Sequence, residues 1–167
     1  LQLPRTPYDT IVNYLDKELL DLSKSLPSSY DDTNTGRPTS GMCLAVRARM
    51  LMFAASPLFN GNQDYADVVN KDGTHLFNST YDANKWKKAI DAIKLVLNMS
   101  QYKLYKEYND DGSIDALMSC MNVHLTDVKS NPEIIFPYPG KTSGLYEYHL
   151  LPRGSGTAGC IGTTQNM

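Results

Sequence analysis

Residues Gly36 to Asn60, GRPTSGMCLAVRARMLMFAASPLFN, carry the clearest structural pattern in this chain. Thr39 or Ser40 is placed to cap a helix, because their side-chain oxygens accept backbone N–H bonds that lack a partner within the helix. Pro57 disfavours helical geometry at the residue before it, so the helix is expected to end at Ser56. The pattern therefore predicts one helix between a turn and a proline stop.

One face of this helix consists mostly of alanine. Apolar residues recur there at helical spacing: Ala45, Ala48, Met52 and Ala55, with Leu44, Leu51 and Phe59 beside them. Alanine lets a second helix backbone approach closely, so Ala48 and Ala55 are expected to be buried against another helix. Arg47 and Arg49 are expected at the edges of this helix contact, where the aliphatic part of the side chain covers apolar surface and the guanidinium stays in water.

Three further helices are predicted from apolar residues that recur with the helical period. The first begins at Pro7, with Thr6 as its cap, and carries Tyr8, Ile11, Val12, Leu15, Leu19, Leu22 and Leu26. The next begins after Asp82 and carries Trp86, Ala89, Ile90, Ile93, Val96 and Leu97. The last carries Ile114, Leu117, Met118, Met121 and Leu125. One short strand is expected from Glu133 to Phe136, after Asn131 and Pro132.

The order of these segments resembles the SusD/RagB family, the surface lipoproteins that capture glycans for import across the outer membrane. A Gly-Arg turn, an A-x-R-A-R-like core and an A-A-S-P end are similar to the family's alanine-rich helix. Further similar pieces are Pro4 to Tyr8, Trp86 with Ala89, Tyr102 to Tyr105, the N-P-E-I-I-F run from Asn131 to Phe136, and Thr164 to Met167. Thr163 stands where the family usually has proline.

The resemblance implies an all-α fold, a tetratricopeptide-like helical array with one short strand and long loops. Residues 1–136 would form this helical region. Residues 137–167 would form a Gly/Tyr-rich loop region that leads into a C-terminal part absent from this chain. Family members are much longer, so the chain is expected to be an internal piece of such a protein.

The function implied by the resemblance is binding of an oligosaccharide or similar nutrient, without catalysis, at the outer-membrane surface. The expected partner is a SusC-like TonB-dependent outer-membrane transporter, and the expected membrane attachment is a lipid anchor that this chain does not contain. The alternative is a helical-repeat scaffold for protein–protein interaction that has no affinity for glycans.

Composition excludes several other classes of protein. The chain has 167 residues, 16 of them basic and 18 acidic, so no basic excess favours nucleic-acid binding. No apolar run approaches the ~20 residues of a membrane span. Cys43, Cys120 and Cys160 are too widely spaced for a zinc knuckle and odd in number for a disulfide framework. Cys43 and Cys120 are expected to be small core residues.

No motif predicts catalysis, a metal or a cofactor. The run Gly154 to Gly159 fits G-x-G-x-x-G, but Pro152 and Arg153 precede it where a dinucleotide site needs a buried strand, so a loop is expected. The segment from Glu107 to Met118 approximates a calcium loop, yet Met118 replaces the bidentate Glu, so a solvated turn capping the last helix is expected. His75, His124 and His149 have no carboxylate at the spacing of metal ligands, so no histidine metal site is predicted. Glu133 and Glu147 could form a glycosidase pair only if the pKa of one were raised, and nothing in the sequence indicates that.

The candidate ligand-binding residues lie near the C-terminal end: Tyr138, Tyr146, Tyr148, His149 and Arg153. Tyrosine rings stack on the C–H faces of sugars, and tyrosine and arginine bond to sugar hydroxyls. The chemistry therefore favours a glycan site in this loop. The alternative, that these tyrosines pack back on the helices, stays open.

Overall fold

The computed structural model describes residues 3–137. Three helices lie side by side in it, α1 (Tyr8–Ser25), α2 (Ser40–Ala55) and α3 (Asn84–Leu97), and α2 contacts both of the others. The helices alternate in direction, because the start of α2 lies beside the end of α1, with the Ser40 N–H bonded to the Pro27 carbonyl at 2.9 Å. The described part of the chain is therefore mostly helical, as predicted.

The limits of α2 follow from its capping residues. The Thr39 hydroxyl oxygen accepts a hydrogen bond from the Met42 N–H at 3.2 Å, which satisfies one of the free donors of the first turn. The helix ends at Ala55, and Ser56 is extended before Pro57. Both ends of α2 were predicted correctly.

The core of the three helices is built largely from alanine. Ala55 and Ala92 have no exposed surface, and Ala48 is 7% exposed. They belong to one cluster, which consists of Val12, Ala48, Leu51, Ala54, Ala55, Ala89 and Ala92. The predicted burial of Ala48 and Ala55 is confirmed, but Met52 is 43% exposed, because it lies beside Phe53 on the uncovered side of α2.

Ion pairs and a buried amide join neighbouring helices. The Arg47 Nε lies 2.6 Å from Asp16 Oδ1, between α2 and α1, and the Lys85 Nζ lies 2.7 Å from Asp9 Oδ1, between α3 and α1. Asn60, which is 3% exposed, accepts a hydrogen bond from the Asp82 N–H at 2.8 Å and so fixes the start of α3 beside the end of α2.

The start of α1 differs from the prediction. Pro7, rather than Thr6, occupies the capping position, and it has no side-chain group that could accept a hydrogen bond. The Tyr8 N–H instead donates to the carbonyl of Leu76 at 2.8 Å, from the long connection between α2 and α3. A contact that is distant in sequence thus replaces the local cap.

Residues 98–137, here called the hairpin region, contain a two-stranded sheet and one helix. Strand β1 (Glu107–Tyr108) pairs antiparallel with β2 (Ile114–Asp115), and α4 (Ala116–Leu125) follows directly. The Asp115 carboxylate accepts a hydrogen bond from the Met118 N–H at 2.9 Å. The segment that approximates a calcium loop is therefore a hairpin turn that leads into the cap of α4, in agreement with the predicted turn.

Three predictions for this region were wrong. Ile114 lies in β2, so the last helix begins two residues later, at Ala116. Glu133 to Phe136 is not a strand, because the Asn131 side chain accepts a hydrogen bond from the Glu133 N–H at 3.0 Å and holds a turn there. Cys120 is exposed, because none of the α4 residues is buried. Cys43, in contrast, is buried as expected, and burial raises the pKa of its thiol.

Candidate functional site

A cleft of about 310 Å³ lies between three loop segments of the described chain, and we call it the loop cleft. Its walls come from residues 28–39, which connect α1 to α2, and from residues 128–137, which follow α4. Gln101 and Tyr102, just beyond α3, complete it. A volume near 300 Å³ is at the lower end of the range for small-molecule sites.

The side chains that line the loop cleft combine hydroxyl, amide, aromatic and charged groups. They include Ser29, Tyr30, Asn34, Arg37, Gln101 and Tyr102. Val128, Ile134 and Ile135 supply an apolar wall. Such a lining offers hydrogen bonds to hydroxyls and a flat apolar face to a ring, which are the two contacts that sugars make.

The first wall is ordered by the carboxylate of Asp31. Asp31 Oδ1 accepts hydrogen bonds from the Thr33 hydroxyl at 2.8 Å, from the Asn34 N–H at 3.0 Å and from the Asn34 side-chain amide at 2.8 Å. The bond from Thr33, followed by those from Asn34, holds the pKa of this carboxyl below its usual value. Gly36 follows with a φ of 89°, which a residue with a side chain rarely adopts. The wall is therefore formed before any ligand arrives.

Tyr102 is positioned by the absence of a side chain at Gly41. A Cβ at Gly41 would overlap the Tyr102 ring, so glycine in the first turn of α2 lets the ring lie against the helix backbone. Beside it, the Gln101 side-chain amide donates to the Ser28 carbonyl at 3.3 Å. The segment after α3 is thus attached to the first wall.

The opposite wall is held by Asn131 and by an ion pair across the cleft. The buried Asn131 side chain donates to the Val123 carbonyl at 2.6 Å. The Lys129 Nζ lies 2.8 Å from Asp32 Oδ2, and both side chains are largely exposed. The hydrogen bond to Asp32 raises the pKa of Lys129. This pair connects the two walls directly.

Arg37 is the remaining charged side chain of the lining. It is exposed, and its backbone N–H donates to the Asn34 carbonyl at 3.2 Å. Among the ion pairs that the described residues form, none includes Arg37. Within residues 3–137 its guanidinium thus has no ion-pair partner.

A second group of aromatic residues lies at the start of α1, and no pattern in the sequence predicts it. The rings of Tyr8 and Phe59 stack with centroids 4.6 Å apart, and those of Tyr65 and Phe77 lie 4.8 Å apart. All four rings are half-buried, and burial, followed by the nearby charge of Asp9, raises the pKa of Tyr8. The stack fastens the long connection between α2 and α3 to α1.

The binding residues that were predicted from the sequence lie outside the described residues: Tyr138, Tyr146, Tyr148, His149 and Arg153. The same holds for the run Gly154 to Gly159 and for Cys160. That loop site and the domain division remain predictions. Within residues 3–137, no group of three or more histidine, cysteine, aspartate or glutamate side chains is arranged to hold a metal ion.

Sequence reasoning missed the loop cleft because its three segments are separated by about 60 residues and 30 residues along the chain. The signal that could have found it is the density of turn-forming and polar residues from Ser28 to Thr39, directly before the alanine-rich helix. Asn131 before Pro132 gives a similar signal for the opposite wall.

No protein-family model matches the chain, and the comparison with curated proteins finds no match. Three chains of solved structures are similar to it, two of which are described here. BT4246, from Bacteroides thetaiotaomicron, is 27% identical with a TM-score of 0.71, and the match covers 89% of this chain. Selenomethionine BT4246 is 26% identical with a TM-score of 0.67, over the same 89%. This similarity points to a protein of the Bacteroidetes.

The chain spans only 29% and 30% of the length of those two structures. In the described part of the chain, none of the helices has the length and apolar character that a membrane crossing requires.

Proposed function

We propose that this chain belongs to a SusD/RagB-like protein that binds an oligosaccharide or similar nutrient at the cell surface without transforming it. The observation that carries the proposal is the ordered resemblance of residues 36–60 and 131–136 to that family. The similarity to BT4246, at 27% identity over most of the chain, points only to a protein of the Bacteroidetes. In this proposal the bound nutrient passes to a SusC-like TonB-dependent transporter, and a lipid anchor holds the protein at the outer membrane.

The three antiparallel helices support a tetratricopeptide-like arrangement as part of the same proposal. Tyr8, the first residue of α1, and Met42, in the first turn of α2, lie 34 residues apart, which equals the tetratricopeptide period. The alanine cluster lets α2 approach its neighbours closely, as stacked helical repeats require.

The state of the charged groups in the loop cleft supports binding rather than catalysis. Asp32 is paired with Lys129, and the neighbouring Asp31 is bound within its own turn. The hydrogen bonds from Thr33 and Asn34 hold the pKa of the Asp31 carboxyl below its usual value, so this group is a poor proton donor at neutral pH. Hydroxyl, amide and aromatic groups instead face the cleft, as in a site that holds an unreacted ligand.

The test is calorimetric titration of the complete gene product with neutral and acidic glycans. At least one glycan should bind. If the tyrosine-rich loop contributes, replacing Tyr146 and Tyr148 together with Ala removes two stacking faces, which costs about 1–3 kcal/mol and weakens binding about tenfold or more. Affinity for a neutral glycan should hardly change with salt, because stacking displaces no counterions.

Tyr14→Ala is a matched control for the double variant, because Tyr14 lies on α1 and is 63% exposed. It should bind as the wild type does. Unchanged binding by the double variant would show that Tyr146 and Tyr148 do not contact the glycan. Failure of every glycan to bind would contradict the proposed function itself.

The transporter partnership needs a separate experiment. The complete gene product, expressed in its native outer membrane with an affinity tag, should copurify with a TonB-dependent transporter after detergent extraction. A tag on an unrelated surface lipoprotein is the control. Recovery of the protein without any transporter would contradict this part of the proposal.

Apolar stripes on the outer helices favour a second candidate function, a scaffold for protein–protein interaction without glycan affinity. Ile11, Leu15 and Leu22 lie on one face of α1, and they are 38–46% exposed. Trp86, Ile90 and Leu97 repeat the same spacing on α3. A scaffold predicts a protein partner that is lost when Ile11 and Leu15 are replaced by Ser, with no binding of any glycan.

A further inference from the structure

In the described part of the chain, three charged side chains line the loop cleft: Asp32, Arg37 and Lys129. Asp32 and Lys129 form an ion pair at 2.8 Å, so their charges largely cancel. Arg37 lines the same cleft and takes part in none of the ion pairs formed within residues 3–137. Within residues 3–137, Arg37 is therefore the one charged side chain of the lining outside an ion pair, and the ionised Asp31 carboxylate, which orders the same wall, is bonded to Thr33 and Asn34.

The backbone around Arg37 is fixed. Gly36 makes the turn with its φ of 89°, the Arg37 N–H is bonded to the Asn34 carbonyl, and Pro38 restricts the backbone of Arg37, the residue before it. Asn34 is itself bonded to Asp31. The backbone that carries the guanidinium is therefore already ordered. Because binding a ligand orders only the arginine side chain, the entropic cost of binding is small.

We propose that the loop cleft binds an acidic saccharide, with the Arg37 guanidinium receiving its carboxylate or sulfate group. The proposal deepens the proposed function and rests on it. A planar guanidinium donates two parallel hydrogen bonds to a carboxylate or sulfate, and such charge-assisted pairs are stronger than bonds between neutral groups.

The remainder of the lining selects a saccharide over a simple anion. Tyr30 is 37% exposed and presents a ring on which a sugar face can stack. Ser29 and Gln101 offer groups that bond to hydroxyls. A small inorganic anion would use Arg37 alone and would leave these groups without a partner, so it should bind more weakly than an acidic sugar.

The test uses the complete gene product and three saccharide probes: an oligogalacturonate, a sulfated glycosaminoglycan oligosaccharide and a neutral malto-oligosaccharide. Inorganic sulfate is the fourth probe. At least one acidic saccharide should bind more tightly than the neutral one, and its affinity should fall as salt is added, because salt screens the charge of Arg37. Arg37→Gln should weaken acidic binding about tenfold or more, and Arg37→Lys should give an intermediate loss.

Arg49→Gln is the matched control. Arg49 is also an exposed arginine, but its guanidinium lies 5.8 Å from the centroid of the Phe53 ring on α2, where no cleft residue is found. This variant removes the same charge and should leave acidic binding unchanged. The thermal unfolding midpoint of each variant shows whether it is folded before its binding is measured.

The outcomes separate the two proposals. The role of Arg37 is overturned if neutral saccharides bind as tightly as acidic ones and Arg37→Gln has no effect on binding. The proposed function would then still stand. Equal losses in Arg37→Gln and Arg49→Gln also overturn it, because the effect would then be one of net charge. If sulfate binds as tightly as the acidic saccharides, the cleft is a simple anion site. If no saccharide binds, the proposed function fails as well.

Discussion

Helices α2 and α4 are both rich in apolar residues, yet they are buried to very different extents. Seven residues of α2 are buried, whereas none of the α4 residues is. Alanine and glycine make up much of the buried face of α2, so α1 and α3 can approach its backbone from either side. In α4 the large apolar residues are mainly leucine and methionine, and the elements that contact it within residues 3–137 are strands of two residues each. Apolar composition thus predicts that a helix forms, whereas small residues at helical spacing predict that it is buried.

The same comparison explains what the family-like motif encodes. Gly36 adopts the left-handed turn, Thr39 caps α2, Ala55 is fully buried and Asn60 joins the end of α2 to the start of α3. These are structural tasks, and none of them requires contact with a ligand. The motif therefore identifies a fold more directly than it identifies what the protein binds.

Enlarging a buried residue of α2 should cause the greatest loss of stability. Ala48→Leu inserts three heavy atoms into the alanine cluster, where Ala48 is 7% exposed. Overpacking should reduce the free energy of unfolding by roughly 1–3 kcal/mol. Chemical denaturation followed by circular dichroism measures the loss. Met52→Leu on the exposed side of the same helix is the control, and it should change stability by less than about 0.5 kcal/mol. Equal stability of the two variants would contradict the close packing of α2.

A second prediction concerns the uncovered apolar surface of the hairpin region. Leu117 and Leu125 are 69% and 79% exposed on α4, so the isolated chain should bind a hydrophobic dye and associate with itself. Replacing both residues with Ser should reduce dye binding and association, while changing the free energy of unfolding by no more than about 1 kcal/mol in total. Sedimentation velocity and dye fluorescence measure the two effects. A wild-type chain that is monomeric and binds no dye would show that this surface is covered.

Local signals in the sequence predicted much of the helical part. The Thr39 cap and the Pro57 stop depend on residues within one turn of the helix end, and Ala48 and Ala55 follow the helical period. The signals failed where a distant group replaced a local one. The Leu76 carbonyl, not Thr6, meets the first N–H of α1, and no pattern near Thr6 indicates this.

The hairpin region was harder to predict for physical reasons. Strands β1 and β2 have two residues each, which is too short for an alternating pattern to be recognised. The apolar run from Glu133 to Phe136 has the composition of a strand, but the Asn131 side chain fixes a turn at its start. The loop cleft combines three distant segments, so only the folded chain brings Arg37, Tyr102 and Lys129 to one place.

Removing the exposed ion pair that joins the segment before α2 to the hairpin region should change stability only slightly. Lys129, in the hairpin region, pairs with Asp32 before α2, and this hydrogen bond raises the pKa of Lys129 in the folded chain. A raised pKa in the folded state means that the pair stabilises the fold fully below the ordinary lysine pKa of about 10.4. The stabilisation is lost as the pH rises through the raised pKa.

Lys129→Gln removes this dependence and leaves the other groups that titrate at high pH in place. The wild type should therefore unfold at a slightly higher temperature than the variant at pH 8, and the difference should be smaller at pH 11.5. Both side chains are exposed, so 0.5 M salt should also reduce the difference. Thermal unfolding at both pH values measures it. Lys103→Gln controls for the loss of one positive charge, since Lys103 lies in the same region outside the ion pairs described for residues 3–137. If the difference in unfolding temperature is as large at pH 11.5 as at pH 8, Lys129 stabilises the chain through packing of its aliphatic side chain. The ion pair with Asp32 would then contribute nothing.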